Sequence, residues 1–517
     1  MSLFRFPTRS ARLGALMLVP VGLMVGCTDL KENPTSLITK DTFYKNSDEV
    51  FAGVTSVYAN LRNNMESYYA LNQVSSDETV VPTRGGDWFD NGAWIELHRQ
   101  GWTPTSVTGL REINDIWNQQ YAGVARANIV LEALENVTIP GQAAVKAEVR
   151  ALRALYYTQL MDVYGGIPIA TDTKVEQRAA KTRAEVFTWI ETELKAARAD
   201  LPKVWPDQQG RVTQGAADAM LASLYVNARV WSGTVTAAGL TPGVAKWTEA
   251  LSAADAVINS GTYTLAPDFK SNFTFTNQNS PENILVVRGK ALDGLGFNRQ
   301  FQSLHYNSFG GGGGWNGWSV VEETYNKFSA ADIRRSTILE GPQVDLFTGL
   351  AVNNRQGQRL NFTPRIGDIT SANENEGARI YKFPLDPNRA GNASGNDFTI
   401  FRLAEMHLIK AEALNELGRT PEAILQLNLV RARAFSPVQR IAASLTQAQL
   451  RDVIFDERLF ELLGEGKRRQ DLIRKGTYTS GTWFGKGVTP AYKILLPIPQ
   501  QQINTNPKLV QNPGYGS

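Results

Sequence analysis

The chain has 517 residues, 42% hydrophobic and 20% charged, a balance typical of a globular protein and unlike that of a disordered one. Its 53 Lys and Arg against 50 Asp and Glu include Arg5, Arg9 and Arg12 at the extreme N-terminus, so the remainder is electrically balanced and lacks the basic footprint of a nucleic-acid binder. A single cysteine excludes an intramolecular disulfide and a cysteine-based zinc site.

That cysteine, Cys27, closes the first recognisable segment. The three arginines lead into an apolar or small run over 13–26. The run is shorter than the roughly 20 apolar residues a bilayer span needs. It fits the basic and apolar regions of a secretory signal peptide. Met24-Val25-Gly26-Cys27 is similar to the bacterial lipobox, with Met24 where Leu is usual. The expectation is a signal peptide over 1–26, lipidation at Cys27, and a chain held to a membrane by its lipid anchor.

Helical signals follow. Val50, Val54, Val57 and Leu61 recur on one face of a helix opening at Ser47. The stretch 80–104 breaks the pattern and reads as an irregular loop rich in aromatics. Ile113, Ile116, Val124 and Leu131 restore helical register. The next helix runs through "EVRALRALYYTQLMDVYGG" and stops at Gly165-Gly166, with Pro168 just beyond. Thr182 and Glu185 form a capping-box pattern, and "TQGAADAMLASLYVNARVW" is Ala-rich, suited to close helix packing.

From 261 to 398, Gly, Asn, Pro and aromatics prevail, with short β-like pieces such as "NILVVRG" and "ARIYKFP". Loops of that length are usually functional. Beyond them "FRLAEMHLIKAEALNELG" ends at Gly418, and Thr420 and Pro421 read as N-cap and first residue of the next helix. The two helices make a hairpin similar to a tetratricopeptide unit. Thr446 and Gln449 open a further helix through a capping box. The fold class expected is mainly α: a tetratricopeptide-like helical hairpin scaffold whose long irregular loops and short strands form a ligand-binding face. It divides into an N-terminal helical region, 27–260, containing the loop 80–104, and a C-terminal region, 261–517, containing the insertion 261–398.

Catalytic signatures are absent. Gly310 to Gly314 lacks the Gly-Lys-Ser/Thr and helix start of a phosphate loop. His98, His305 and His407 lack metal-ligand spacing. There is no G-x-S-x-G nucleophile elbow, and no pair of carboxylates stands in a distinctive motif. The expectation is a non-enzyme without metal or cofactor. The aromatics carry the functional signal. Trp88, Phe89, Trp94 and Trp102 crowd one loop, and Tyr306, Phe309, Trp315 and Trp318 another. Flat rings pack on the C–H faces of sugars, while Arg, Asp and Asn bond the hydroxyls. The candidate ligand-binding set is therefore Arg84, Asp87, Trp88, Trp94, Trp102, Tyr306, Trp315, Asn316 and Trp318. The competing reading is that the tryptophans pin the loops to the scaffold.

Longer motifs add a resemblance. "ARANIVLEAL" at 125–134, "EVRALRALYYTQLMDVYGGIPI" at 148–169, "RLAEMHLIKAEALNELG" at 402–418, "ERLFELLGEGKRRQDLIR" at 457–474 and "LLPIPQQQINTNPKLVQNPGY" at 495–515, together with the lipobox, resemble the SusD/RagB family of outer-membrane nutrient-binding lipoproteins. The resemblance spans nearly the whole length. It implies four tetratricopeptide-like hairpins, a loop-rich face that binds ligand, glycan being the expected class, and a cell-surface location on the outer membrane. It also implies a partner, a TonB-dependent barrel of the SusC type, on which the lipoprotein sits as a lid. The alternative it allows is a peptide- or other nutrient-binding lid on a RagA-type transporter. Arg150 and Arg153 are expected to pair with acids between hairpins, a structural role.

Overall fold

A computed structural model describes residues 43–206, 208–310 and 313–516. The signal segment, Cys27 and the centre of the glycine run lie outside the described residues.

The first helix, α1 (Ser47–Val74), opens where Asn46 accepts a hydrogen bond from the Glu49 amide at 3.0 Å. Its Val50, Val54, Val57 and Leu61 are buried as the spacing predicts. A short helix α2 (Ala93–His98) lies inside the stretch expected to be wholly irregular. Helices α3 (Asn114–Asn136), α4 (Gln142–Tyr164), α5 (Arg183–Asp200), α6 (Gln214–Val226) and α7 (Trp247–Ile258) follow. Each packs on its neighbour in sequence, α1 lying against α3. After the insertion come α8 (Leu403–Glu416), α9 (Thr420–Arg431), α10 (Gln447–Leu462) and α11 (Arg468–Lys475). Helix α8 packs on both α7 and α9, which continues the helical array across the insertion. No helix among the described residues is long and apolar enough to cross a membrane.

Local chemistry explains most boundaries. Thr182 and Thr446 each complete a capping box, with Glu185 and Gln449. Helix α4 ends at Gly165, whose φ of +74° favours glycine. One expected cap is different. Arg419, not Thr420, caps α9, and the Thr420 hydroxyl bonds back to Asn415 Oδ1 at 3.0 Å. The hydroxyl thus ties the hairpin turn to the preceding helix instead of the new helix's amides. Arg150 and Arg153 both reach Glu193 on α5, at 2.8 and 2.9 Å, locking the α4–α5 hairpin.

The insertion is fastened to the helices in two ways. Strand β4 (Asn283–Val287) pairs antiparallel with β6 (Phe398–Arg402), the last strand before α8, with β2 (Thr234–Thr236) and β3 (Gly239–Thr241) making a separate hairpin and β5 (Ser319–Val320) a third element. A buried ion network does the rest. Glu461 on α10 accepts from Arg334 at 2.9 Å and from Arg402 and Arg433 at 2.7 Å each. Arg402 also holds Glu282 and Glu465, at 2.7 and 2.8 Å, and Arg334 holds Glu457 at 2.7 Å. A group this buried is tolerable only when its charges are matched, and here Arg334, Arg402 and Arg433 each meet at least two carboxylates, with Arg433 Nε the donor left without a partner among the described residues. The main hydrophobic core draws residues from both sides of position 260, so the N- and C-terminal regions share it.

One small pairing positions the candidate site. Strand β1 (Thr79–Val80) runs antiparallel to β5, with Thr79 opposite Val320 and Val80 opposite Ser319. This register sets the loop that follows β1 directly against the loop that precedes β5.

Candidate ligand-binding face

The two aromatic loops therefore meet. In the first, Arg84 and Asp87 exchange backbone hydrogen bonds at 2.9 and 3.0 Å, closing a tight turn around two glycines. The chain then bends through Trp88, Asp90 and Asn91, all at positive φ. The other described non-glycine residues at positive φ are Gln100, in the same region, and Asn316 in the facing loop. Left-handed backbone costs a bulky side chain free energy, and it persists where surrounding contacts over-determine it. Here both loops carry that strain, and it aims their rings.

The rings form a continuous array. Trp88 and Trp94 meet edge to face at 5.5 Å between centroids. Trp88 lies 6.5 Å from Trp315, and Trp94 lies 5.8 Å from Trp318. Trp318 stacks on Tyr69 of α1 at 5.8 Å with the planes 8° apart, which roots the array in the helical scaffold. The Trp88 indole donates to the Trp315 carbonyl at 2.6 Å, and the Trp94 indole to Asp90 Oδ2 at 2.6 Å. Trp88, Trp94 and Trp315 stay half-buried, and Phe89 beside them is 55% exposed. Gly317 makes the seat: a Cβ there would fall 2.1 Å from Trp88 Cε2.

A polar cluster borders the rings. The Tyr306 hydroxyl donates to Asp87, whose Oδ2 also accepts from Arg355 at 3.2 Å. The Arg355 guanidinium lies 3.9 Å over the Tyr306 ring. It also donates to Glu374 Oε1 at 2.5 Å, while Glu374 Oε2 pairs with His305 Nε2 at 2.9 Å. Burial would raise the Glu374 carboxyl, but hydrogen bonds from Arg355 and His305 overcome it and hold the group below its ordinary value. Burial keeps His305 below the usual imidazole range against the pull of Glu374. Asp87 and Arg355 remain about half exposed, which leaves a carboxylate and a guanidinium facing solvent beside the rings.

The structure divides the sequence-derived set. Asp87, Trp88, Trp94, Tyr306 and Trp315 line the accessible side. Arg84, Trp102, Asn316 and Trp318 are interior, each 3% exposed or less. Arg84 spends its guanidinium on loop acceptors: the Asn316 carbonyl at 2.7 Å, the Glu376 carbonyl at 2.8 Å, the Ser319 hydroxyl at 3.0 Å and the Asn373 carbonyl. Asn316 Oδ1 accepts from Arg379 at 2.8 Å. The Trp102 indole donates to the Tyr515 hydroxyl at 2.9 Å. These four hold loops in place, so the anchoring reading applies to them. Sequence reasoning missed Arg355, Glu374 and Tyr69. Arg355 stands in "NNRQGQR", without aromatic neighbours, and Tyr69 falls at ordinary helix spacing, so neither carried a local signal.

The fold and this face define a class: a tetratricopeptide-like helical scaffold that carries a preformed aromatic surface on inserted loops. Comparison with known proteins agrees. A model described as the SusD family matches residues 349–515, and one described as starch-binding associating with outer membrane matches 36–226. The chain belongs to the SusD/RagB family. It is 26% identical to SusD-like protein P25 of Formosa agariphila, over 94% of this chain and 96% of that one. It is 25% identical to the starch-binding protein SusD of Bacteroides thetaiotaomicron, over 86% and 85%. Among solved structures, a laminarin-binding SusD-like protein superposes with a TM-score of 0.72 at 24% identity, covering 91% of this chain and all of the other. Surface glycan-binding protein A from Bacteroides thetaiotaomicron, solved with laminarihexaose, gives 0.71 at 23% identity, over 90% of this chain and 100% of that one.

Proposed function

We propose that this chain is a non-catalytic, lipid-anchored glycan-binding protein of the outer-membrane surface that passes oligosaccharide to a TonB-dependent, SusC-like barrel. The observation that carries the reading is the half-buried ring array of Trp88, Trp94 and Trp315 beside the Tyr306–Asp87–Arg355 cluster. Rings supply large contact area at low conformational cost, and the cluster supplies both an acceptor and donors for sugar hydroxyls. The relatives named for laminarin, starch and surface glycans support the ligand class. The lipobox at Cys27 supports the anchor.

The test is a panel of soluble polysaccharides, including laminarin and starch, run by affinity electrophoresis and followed by calorimetry on the corresponding oligosaccharide. Trp88→Ala and Trp315→Ala should each weaken binding about tenfold to a hundredfold, the equivalent of about 1–3 kcal/mol. The oligosaccharide should be recovered unchanged after incubation. Cys27→Ala should release the protein from outer-membrane fractions, and mild-detergent purification of the parent should bring down a large barrel. Retention of no polysaccharide would sink the ligand class, and peptide binding in its place would favour the nutrient-lid alternative.

A further inference from the structure

A second cavity lies away from the aromatic loops and shares no lining residue with them. It measures about 490 Å³ and opens between α8, α10, α11 and the β2–β3 hairpin. That volume falls within the range of about 300–1,000 Å³ in which small organic ligands are held. Its walls combine aliphatic and aromatic side chains, among them Val230, Leu240, Ile454, Phe455 and Ile473, with a set of charged ones.

Its charges are uneven. Five cationic side chains line it against three carboxylates, Glu412, Glu416 and Asp471. Three of the cations are matched: Arg451 with Glu416 at 2.5 Å, Arg474 with Glu412 at 2.8 Å, and Lys475 with Asp452 at 2.9 Å. The other two are Arg458 and Arg229. Arg458 is 3% exposed, and Asp471 takes its Nε and Nη2, at 3.0 and 2.9 Å. Its Nη1 is buried with no hydrogen-bond partner among the described residues. Arg229 lines the same cavity at an exposed position and makes no ion pair among the described residues. A buried guanidinium N–H without an acceptor is costly, and native interiors seldom leave one so. A ligand oxygen would remove that cost, and a negative one would make the stronger, charge-assisted bond.

We propose that this cavity binds a small amphipathic anion, an apolar body carrying one carboxylate or sulfonate. The anionic group faces Arg458 and Arg229, and the body lies against Val230, Ile454 and Phe455. The site is separate from the glycan reading and does not depend on it.

The probe is 8-anilinonaphthalene-1-sulfonate, titrated into the whole chain and followed by its emission. One saturable site is expected. The neutral analogue N-phenyl-1-naphthylamine, which lacks the sulfonate, should bind at least tenfold more weakly. Dodecanoate should displace the probe, and dodecanol should not. Ala491 and Ala238 line the cavity at exposed positions. Ala491→Trp, which narrows the mouth, should weaken the probe tenfold or more with an unchanged melting temperature. If Ala491→Trp melts early, Ala238→Trp on the hairpin turn takes its place. Arg229→Gln should weaken the probe severalfold, and Trp88→Ala should leave it unchanged. Equal binding of the charged and neutral probes, full affinity in the mouth-blocked variant, or loss in Trp88→Ala would each overturn the proposal.

Discussion

Gly317 offers the sharpest test of how the aromatic face is built. A methyl group at this position would stand 2.1 Å from Trp88 Cε2, 2.4 Å from Cζ2 and 2.6 Å from Nε1, well inside van der Waals contact. In Gly317→Ala the Trp88 indole, which is only partly buried, is the part that must give way. Moving it breaks the 2.6 Å hydrogen bond to the Trp315 carbonyl and the edge contact with Trp94 at 5.5 Å. A hydrogen bond contributes about 0.5–1.5 kcal/mol net, and an aromatic pair about 0.5–1.5 kcal/mol beyond its buried area. The array should therefore lose about 1–3 kcal/mol of preorganisation, or about fivefold to a hundredfold in affinity for a glycan that stacks there. Global stability should fall by no more than the same ~1–3 kcal/mol, because Trp88 packs at the margin of the main core and no fully buried residue is displaced. Two readouts separate the steps. Tryptophan emission should shift to the red as the indole moves outward, and calorimetry on the oligosaccharide chosen by the panel should show the weaker binding. An unshifted spectrum would refute the steric argument. A shifted spectrum with full affinity would show that Trp88 is no part of the platform.

Three further outcomes bear on the scaffold. Trp102→Ala empties a site that is 0% exposed and should cost about 3–5 kcal/mol by denaturant unfolding, behaving as a folding mutation. A stable variant with selectively lost glycan affinity would return Trp102 to the binding face. Glu461→Ala leaves Arg334, Arg402 and Arg433 short of their shared carboxylate and should destabilise by about 3–5 kcal/mol. Burial would raise the Glu461 carboxyl, but those three guanidinium groups hold it far below its ordinary value of 4.5. Its contribution is thus complete above about pH 4.5 and fades as the pH falls further, so parent and variant should converge in acid. Glu78 shows the opposite sign: desolvation pushes its carboxyl up to about 8. Between pH 4.5 and 8 the folded parent holds a proton that the unfolded chain has released, so its stability falls as pH rises through that window. Glu78→Gln should match the parent in melting temperature near pH 4.5 and exceed it increasingly up to pH 8; a constant difference would refute this.

The helices were legible because each carries a local cause. Val50, Val54, Val57 and Leu61 share one face, Thr182 and Thr446 carry their box partners, and Gly165 stops α4. Such signals lie within a few residues, and the side chains that make them also do the packing. Thr420 misled because a hydroxyl before a proline reads as a cap, while the turn had Asn415 close enough to take it. The face was half legible. Tryptophan clustering marked both loops, but it could not say which rings point outward. That depends on the β1–β5 register, a pairing of residues far apart in sequence, and on the backbone at Trp88 and Asn316. Arg84 had the composition of a ligand contact and the position of an anchor, and only its burial separates the two.

The anchoring arginines explain how a face with so little regular structure keeps one shape. Outside a helix or sheet, carbonyl oxygens have no ladder to accept from, and buried ones must find donors elsewhere. Arg84 and Arg379 provide them. Between them they bond the carbonyls of Asn316, Asn373, Glu374, Glu376 and Gly377, and both reach the Ser319 hydroxyl at 3.0 Å. Desolvation lowers both groups from the ordinary guanidinium value, Arg84 to about 10, so Arg84 remains charged near neutrality. Charged donors make shorter and stronger bonds than neutral ones, and a planar guanidinium fixes several acceptors in one geometry. The strained turns at Trp88 and Asn316 are thus held by arginines fastened to β5 and its neighbours, and the rings are ordered before any ligand arrives. That ordering lowers the entropic cost of binding. It also lets the loops vary in their outward residues, because the inward arginines, not the rings, keep the backbone in place.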